Sequence, residues 1–290
     1  RAGRSGEAVP VKQAPALFEA DGLVTEQHFA TSDDGTRVPY FVVRPADLTL
    51  DGTAPTLLYG YGGFEISLTP SYSGGLGRSW LAQDGVYVVA NIRGGGEYGP
   101  RWHQAALKAN RHRAYEDFAA VARDLVARGI TSPAHLGVQG GSNGGLLTGN
   151  MLTQYPELFG AVVIQVPLLD MQRYHLLLAG SSWVAEYGDP DVEEEWAFLR
   201  TFSPYHLFDA ERTYPPVLFT TSTRDDRVHP GHARKLAALM IEAGKDVTSY
   251  ENIEGGHGGA ATNEQAAHMA ALAYRFLGQR LGLNVKGEIG

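Results

Sequence analysis

The stretch HLGVQGGSNGGLLTGNMLTQY, residues 135–155, decides the fold. Its first part, HLGVQ, is a short apolar run bounded by glycines and reads as a strand, whereas LLTGNMLTQY reads as a helix. Between them stands Gly140-Gly141-Ser142-Asn143-Gly144-Gly145, a G-x-S-x-G sequence at a strand-to-helix turn. Such a turn holds its serine in a strained backbone conformation with Oγ exposed at the sheet edge, and Gly140 and Gly144 leave room for neighbouring chain. The next helix points its first amides at any negative charge forming there, with the Asn143 amide the natural first donor. A glycine-rich turn carrying an incidental serine is the competing reading. Placement between strand and helix is what favours a nucleophile.

Working outward, short β-branched runs recur at Tyr40–Val43, Thr56–Tyr59, Val86–Ile92, Ala161–Val166, Val217–Thr221 and Val247–Ile253. Helical spacing separates most of them. In Tyr115–Val126 the residues Tyr115, Phe118, Val121, Ala122, Leu125 and Val126 share one face before a stop at Gly129, and Asn263–Leu281 is similarly amphipathic. This alternation predicts an α/β domain: a mostly parallel, doubly wound sheet with helices on both faces and ligands at the carboxyl ends of the strands. Residues 1 to about 25 lack either periodicity and read as an arm or linker, leaving 26–290 as the domain.

Composition narrows the function classes. With 24 basic against 32 acidic residues, and no dense Lys/Arg cluster, nucleic acid is not an expected partner. No apolar run approaches the roughly 18 residues of a membrane span. The absence of Cys excludes a thiolate nucleophile and Cys-ligated zinc, and fits the cytoplasm and the periplasm equally, so no compartment is assigned. The chain starts at Arg1 rather than Met, consistent with a removed leader or a fragment.

A serine nucleophile on this fold needs an acid and a histidine downstream, each on a loop after a later strand. After VLFTT comes Ser222-Thr223-Arg224-Asp225-Asp226-Arg227, and after TSYENI comes Glu254-Gly255-Gly256-His257-Gly258-Gly259. Among ten histidines, only His257 sits on a glycine-rich loop directly after the final strand. Spacing does not separate Asp225 from Asp226. His229 and His232, in H-P-G-H, lack a third ligand at metal spacing and suit a helix N-terminus better, so no metal or other cofactor is expected. Two further loops, Tyr59-Gly60-Tyr61-Gly62-Gly63-Phe64 and Arg93-Gly94-Gly95-Gly96-Glu97-Tyr98-Gly99, have no phosphate-binding pattern. The first lies where hydrolases place a second oxyanion donor.

The series LLYGYGGFEIS, ANIRGGGEYG, GGSNGGLL, SSWVAEYGDP, RDDRVHP and GGHGG, in this order, resembles the prolyl oligopeptidase family of serine peptidases over residues 25–285. The resemblance implies an α/β-hydrolase fold with Ser142 as nucleophile, Asp225 as acid and His257 as base, cleaving peptides after proline. It implies that the Tyr61 hydroxyl joins the Asn143 amide in the oxyanion hole. It further implies that Arg227 holds a substrate carbonyl, and that Trp183, Tyr187, Phe64, Val228 and Leu168 form the proline pocket. Family members carry a seven-bladed propeller and an N-terminal segment before the catalytic domain, and neither is in these residues. The expectation is therefore a catalytic fragment whose arm is the exit from that propeller, with a naturally short member as the other option. An esterase or lipase on the same fold, and a catalytically silent binding domain, are the rival functions.

Overall fold

In β-strands successive side chains face opposite sides, and here both sides are apolar, as a sheet covered on two faces requires. The computed structural model describes residues 10–284. Among them, β1 (Leu23–Thr31), β2 (Arg37–Pro45), β3 (Thr56–Gly60), β4 (Val86–Ala90), β5 (Leu136–Gly141), β6 (Ala161–Gln165), β7 (Val217–Ser222) and β8 (Val247–Asn252) form one sheet. Its order is β1-β2-β4-β3-β5-β6-β7-β8. β1 and β2 pair antiparallel, as do β2 and β4, and the remaining neighbours are parallel.

One face carries Leu58, Val88, Val138, Val162, Ile164 and Phe219 into the larger core, covered by helices His112–Ala127, Asn143–Gln154 and Gly231–Glu242. The adjacent residues Leu57, Val163 and Leu218 face the other way, against Trp80, Leu81 and the apolar side of helix Asn263–Leu281. On this second side a groove of about 340 Å³ stays open, lined by Phe41, Val43, Tyr59, Leu76, Tyr87 and Val89 among others. No helix among the described residues is long and apolar enough to cross a membrane.

The chain leaves β3 for β4 on one side and then returns to β5 on the other, so β3 and β5 are parallel neighbours whose outgoing segments diverge. This is the switch point at which open α/β sheets form a crevice. It sets the loop after β3, with Tyr61, beside the turn after β5, with Ser142.

The predicted strands and the three predicted helices are present, most ends moved by a few residues; helix Asn263–Leu281 keeps its predicted limits, and the others begin earlier, at His112 and Asn143. The expected arm, 1 to about 25, overlaps the first strand by a few residues. Residues 1–9 lie outside the described residues, but β1 starts at Leu23, and before it Phe18 stacks on Tyr72 at 5.5 Å while the Leu17 amide donates to the Tyr72 hydroxyl at 2.7 Å. β1 escaped the periodicity reading because it is an edge strand of mixed burial, LVTEQHFAT, without clean alternation.

His229 serves the start of the helix Gly231–Glu242, whereas His232, inside that helix, holds the segment after β6. The His229 Nδ1 accepts the Gly231 amide at 2.9 Å, and the buried His232 Nδ1 accepts the amides of Leu169 and Asp170 at 3.1 and 3.0 Å. Burial lowers the His232 pKa from 6.5 to about 4, against the opposing pull of Asp170. The unfolded chain therefore takes up this proton first as pH falls, and native stability drops between about pH 6.5 and 4, by up to about 3 kcal/mol. A His232→Gln variant, which keeps an acceptor but does not titrate, should lose less of its urea midpoint between pH 7 and 4.5 than the parent. Parallel losses would remove His232 as a source of acid lability.

Candidate active site

Ser142 closes β5 and opens helix Asn143–Gln154 with φ +60° and ψ −119°, a backbone conformation side-chain-bearing residues rarely adopt. Three glycines make the turn possible. A Cβ on Gly140 would collide with the Gly144 carbonyl, one on Gly145 would lie 2.7 Å from the Pro167 Cβ, and one on Gly144 would come within 3.1 Å of the Gly60 carbonyl. The Ser142 amide is held by the Gln165 carbonyl on β6 at 2.9 Å.

The loops after β7 and β8 bring their side chains to this turn. His257 Nε2 lies 2.9 Å from the Ser142 Oγ, and its Nδ1 lies 2.9 and 3.1 Å from the two Asp225 carboxylate oxygens. Asp225 Oδ1 also accepts the amides of Arg227 and Val228, both at 2.9 Å. Burial works against its charge, but the hydrogen bonds from His257 and these two amides prevail and hold the carboxyl below its ordinary range. Asp226 is exposed and accepts the His257 backbone amide at 3.3 Å. The geometry thus separates two carboxylates that spacing could not. A hydroxyl bonded to an imidazole that is itself oriented by a buried carboxylate can lose its proton as it attacks a carbonyl carbon.

On the opposite side of Ser142 lies Tyr61. Burial raises its hydroxyl pKa, opposed by a hydrogen bond with Ser142 and by the charges of Arg111 and Arg227. The Asn143 amide, first in its helix, has no carbonyl one turn back to bond.

The expected pocket residues divide. Phe64 is half-buried and packs edge-on against Tyr187, with ring centroids 5.6 Å apart. Tyr187 itself is fully buried, and its hydroxyl donates to Asn143 Oδ1 at 2.8 Å. Val228 is buried beside Asp225, and Leu168 lies in the core after β6. Trp183 is half-buried against that core, on a turn tied to the Asp225 loop by the Ala179 amide and the Arg227 carbonyl at 3.2 Å. Arg227 is exposed.

Beneath these residues lies a charged group that the sequence did not single out. Arg111, with 1% of its side chain exposed, donates to Glu186 Oε1 at 2.8 Å and to Asn143 Oδ1. Glu186 also accepts the Phe64 amide at 3.0 Å and contacts His103 Nε2 at 2.7 Å. Glu186 stands inside the motif SSWVAEYGDP, between Trp183 and Tyr187, so its signal was present; Arg111, before an amphipathic helix, gave none. The second glycine-rich loop is a buttress. Arg93 donates to Asp117 and Asp34, and Gly94 leaves room for the Gly62 carbonyl while accepting the Glu65 amide at 3.2 Å. Apart from these groups, His175, Asp189 and Asp191 bring potential metal-ligand atoms within 4.8 Å of one another, the one such trio among the described residues.

Comparison with known proteins bears on family and fold. The family model for the prolyl oligopeptidase family matches residues 72–284. An uncharacterized peptidase of Sinorhizobium fredii is 55% identical over 96% of this chain and 38% of its own length, and a prolyl endopeptidase of Elizabethkingia miricola is 37% identical over 96% and 40%. The structure of a post-proline cleaving enzyme from Rickettsia typhi superposes with a TM-score of 0.93 at 41% identity, covering 95% of this chain and 40% of that one. The chain thus spans about two fifths of the length of these relatives. By sequence and by fold, the chain belongs to the prolyl oligopeptidase family.

Proposed function

We propose that the chain is the catalytic unit of a serine peptidase that hydrolyses peptide bonds on the carboxyl side of proline through an acyl-enzyme. The observation that carries this is the unbroken series Ser142 Oγ, His257, Asp225, each step at 2.9 Å. His257 Nε2 takes the Ser142 proton as Oγ bonds to the proline carbonyl carbon. The negative oxygen so formed accepts hydrogen bonds from the Asn143 amide and the Tyr61 hydroxyl. His257 then gives its proton to the leaving amine, the C–N bond breaks, and water releases the acyl group by the same steps in reverse order. Asp225 fixes the Nδ1–H tautomer and stabilises the imidazolium.

Proline specificity is supported by the names of the relatives and by the aromatic surroundings, since a compact, rigid, apolar ring suits Trp183 and Phe64 while a charged side chain would be left desolvated and unpaired. In the longer relatives' arrangement the remaining three fifths includes, on this reading, a propeller that restricts access, and peptides are the substrates.

Ser142→Ala and His257→Ala should each lower kcat for a chromogenic prolyl peptide by roughly 10⁴- to 10⁶-fold with folding intact. Asp225→Asn should cost about 10³- to 10⁴-fold and Asp226→Asn less than about threefold. Retention of more than about a tenth of the activity by folded Ser142→Ala would reject the nucleophile. Tyr61→Phe should raise the acylation barrier by about 3 kcal/mol, while Tyr59→Phe, which faces the groove on the other side of the sheet, should do far less. Equal losses would make the Tyr61 effect structural.

Trp183→Ala should reduce kcat/KM for the prolyl peptide by about 10- to 1,000-fold and spare a small activated ester that leaves the pocket empty. Parallel loss on both substrates, or a collapsed Tm, would mark Trp183 as core packing. Preference for a short-chain ester over any prolyl amide would favour an esterase, and no labelling by a fluorophosphonate would favour a silent domain.

A further inference from the structure

The loop after β3 is strained in a way its own residues do not explain. Gly62, Phe64 and Glu65 have φ of +65°, +56° and +56°, and only the first lacks a Cβ. Residues in such conformations persist where their surroundings over-determine them. What determines this loop is a buried ion pair. Glu186 accepts the Phe64 amide at 3.0 Å and the Arg111 guanidinium at 2.8 Å with the same oxygen. Arg111 passes the constraint to Asn143 Oδ1, and the Asn143 side-chain amide donates to the Tyr61 carbonyl at 2.7 Å. The loop lies so close that a Cβ on Gly63 would stand 2.5 Å from Asn143 Nδ2 and 2.8 Å from the Arg111 guanidinium.

We propose that Arg111 and Glu186 are positioning residues, a buried charge pair that clamps the Tyr61 loop to the start of the Ser142 helix and so sets the distance between the two oxyanion donors. The pair touches neither Ser142 nor His257. Its side chains are 1% and 6% exposed, and burying two charges is a poor route to stability when apolar residues of like volume would pack as well. What the charges supply is directed geometry: a fork of N–H donors reaching two acceptors at once. His103, 2.7 Å from the second Glu186 oxygen, completes the anion's partners from the far side.

The inference rests on the proposal of a serine nucleophile, and its test separates the two. The readout is the rate at which a small fluorophosphonate labels Ser142 in the full 290-residue chain, a reaction that uses the oxyanion hole and leaves the proline pocket empty. Glu186→Gln should slow labelling by about 10- to 100-fold, within the range of losing one donor, and should lower kcat for a prolyl ester while changing KM by less than about threefold. In a Tyr61→Phe background the same substitution should cost less than about threefold, because the donor it positions is already gone. Since Glu186→Gln leaves the Arg111 cation buried without its counter-ion, the neutral pair Arg111→Met with Glu186→Gln is measured as well. It should keep a Tm near the parent's and still label slowly. Losses that add in the Tyr61→Phe background, or a neutral pair that labels at the parental rate, would overturn the positioning role. A parent chain that is never labelled would overturn the nucleophile itself.

Discussion

Everything at this site depends on one backbone constraint, the left-handed conformation of Ser142 at the end of β5. A residue there points its side chain out of the sheet and starts a helix within the same turn, so the hydroxyl and the helix's free first amide face the same small volume. The constraint is met by removing atoms. Gly140, Gly144 and Gly145 carry no Cβ where one would meet the neighbouring carbonyls or Pro167. The conformation costs on the order of 1–3 kcal/mol and is held by the dense packing of β5 between β3 and β6.

Topology supplies the rest of the group. Because β3 and β5 are neighbours although β4 intervenes in sequence, Tyr61 and Ser142 issue from adjacent strand ends. β7 and β8 are the next parallel pair along the sheet beyond β6, and their outgoing loops carry Asp225 and His257 to the same edge. The second glycine-rich loop and the Arg111–Glu186 pair then hold the Tyr61 loop, through the Gly94 carbonyl and the Glu186 carboxylate. Each loop is held by a different partner, so the site has no single anchor beyond Ser142 itself.

Much of this was legible in the residues. The strand, glycine-serine turn and helix of 135–155 identify the fold because the turn's chemistry is local, set by which residues tolerate positive φ and by the helix-forming run directly after them. The order in which Ser142, Asp225 and His257 leave successive strands was legible for the same reason. What was not legible is tertiary. Asp225 and Asp226 are alike in sequence and are told apart by tertiary placement: Asp225 is buried, bonded to His257 and wrapped by the Arg227 and Val228 amides. Tyr187 belongs to the pocket motif, yet full burial gives its hydroxyl to Asn143. Arg111 looks like one more surface cation before a helix, and only tertiary packing against Glu186, Asn143 and the Gly63 loop makes it a buried one. β1 was lost because half-buried edge strands lack a clean alternation.

The most direct test of the central claim is a stopped-flow measurement with a prolyl ester, in which the covalent species is trapped by acid and its site mapped by mass spectrometry. A burst equal to the concentration of active sites and an acyl adduct on Ser142 are the predicted results. An adduct on another residue, or turnover undiminished in Ser142→Ala, would contradict the assignment of Ser142 as the nucleophile.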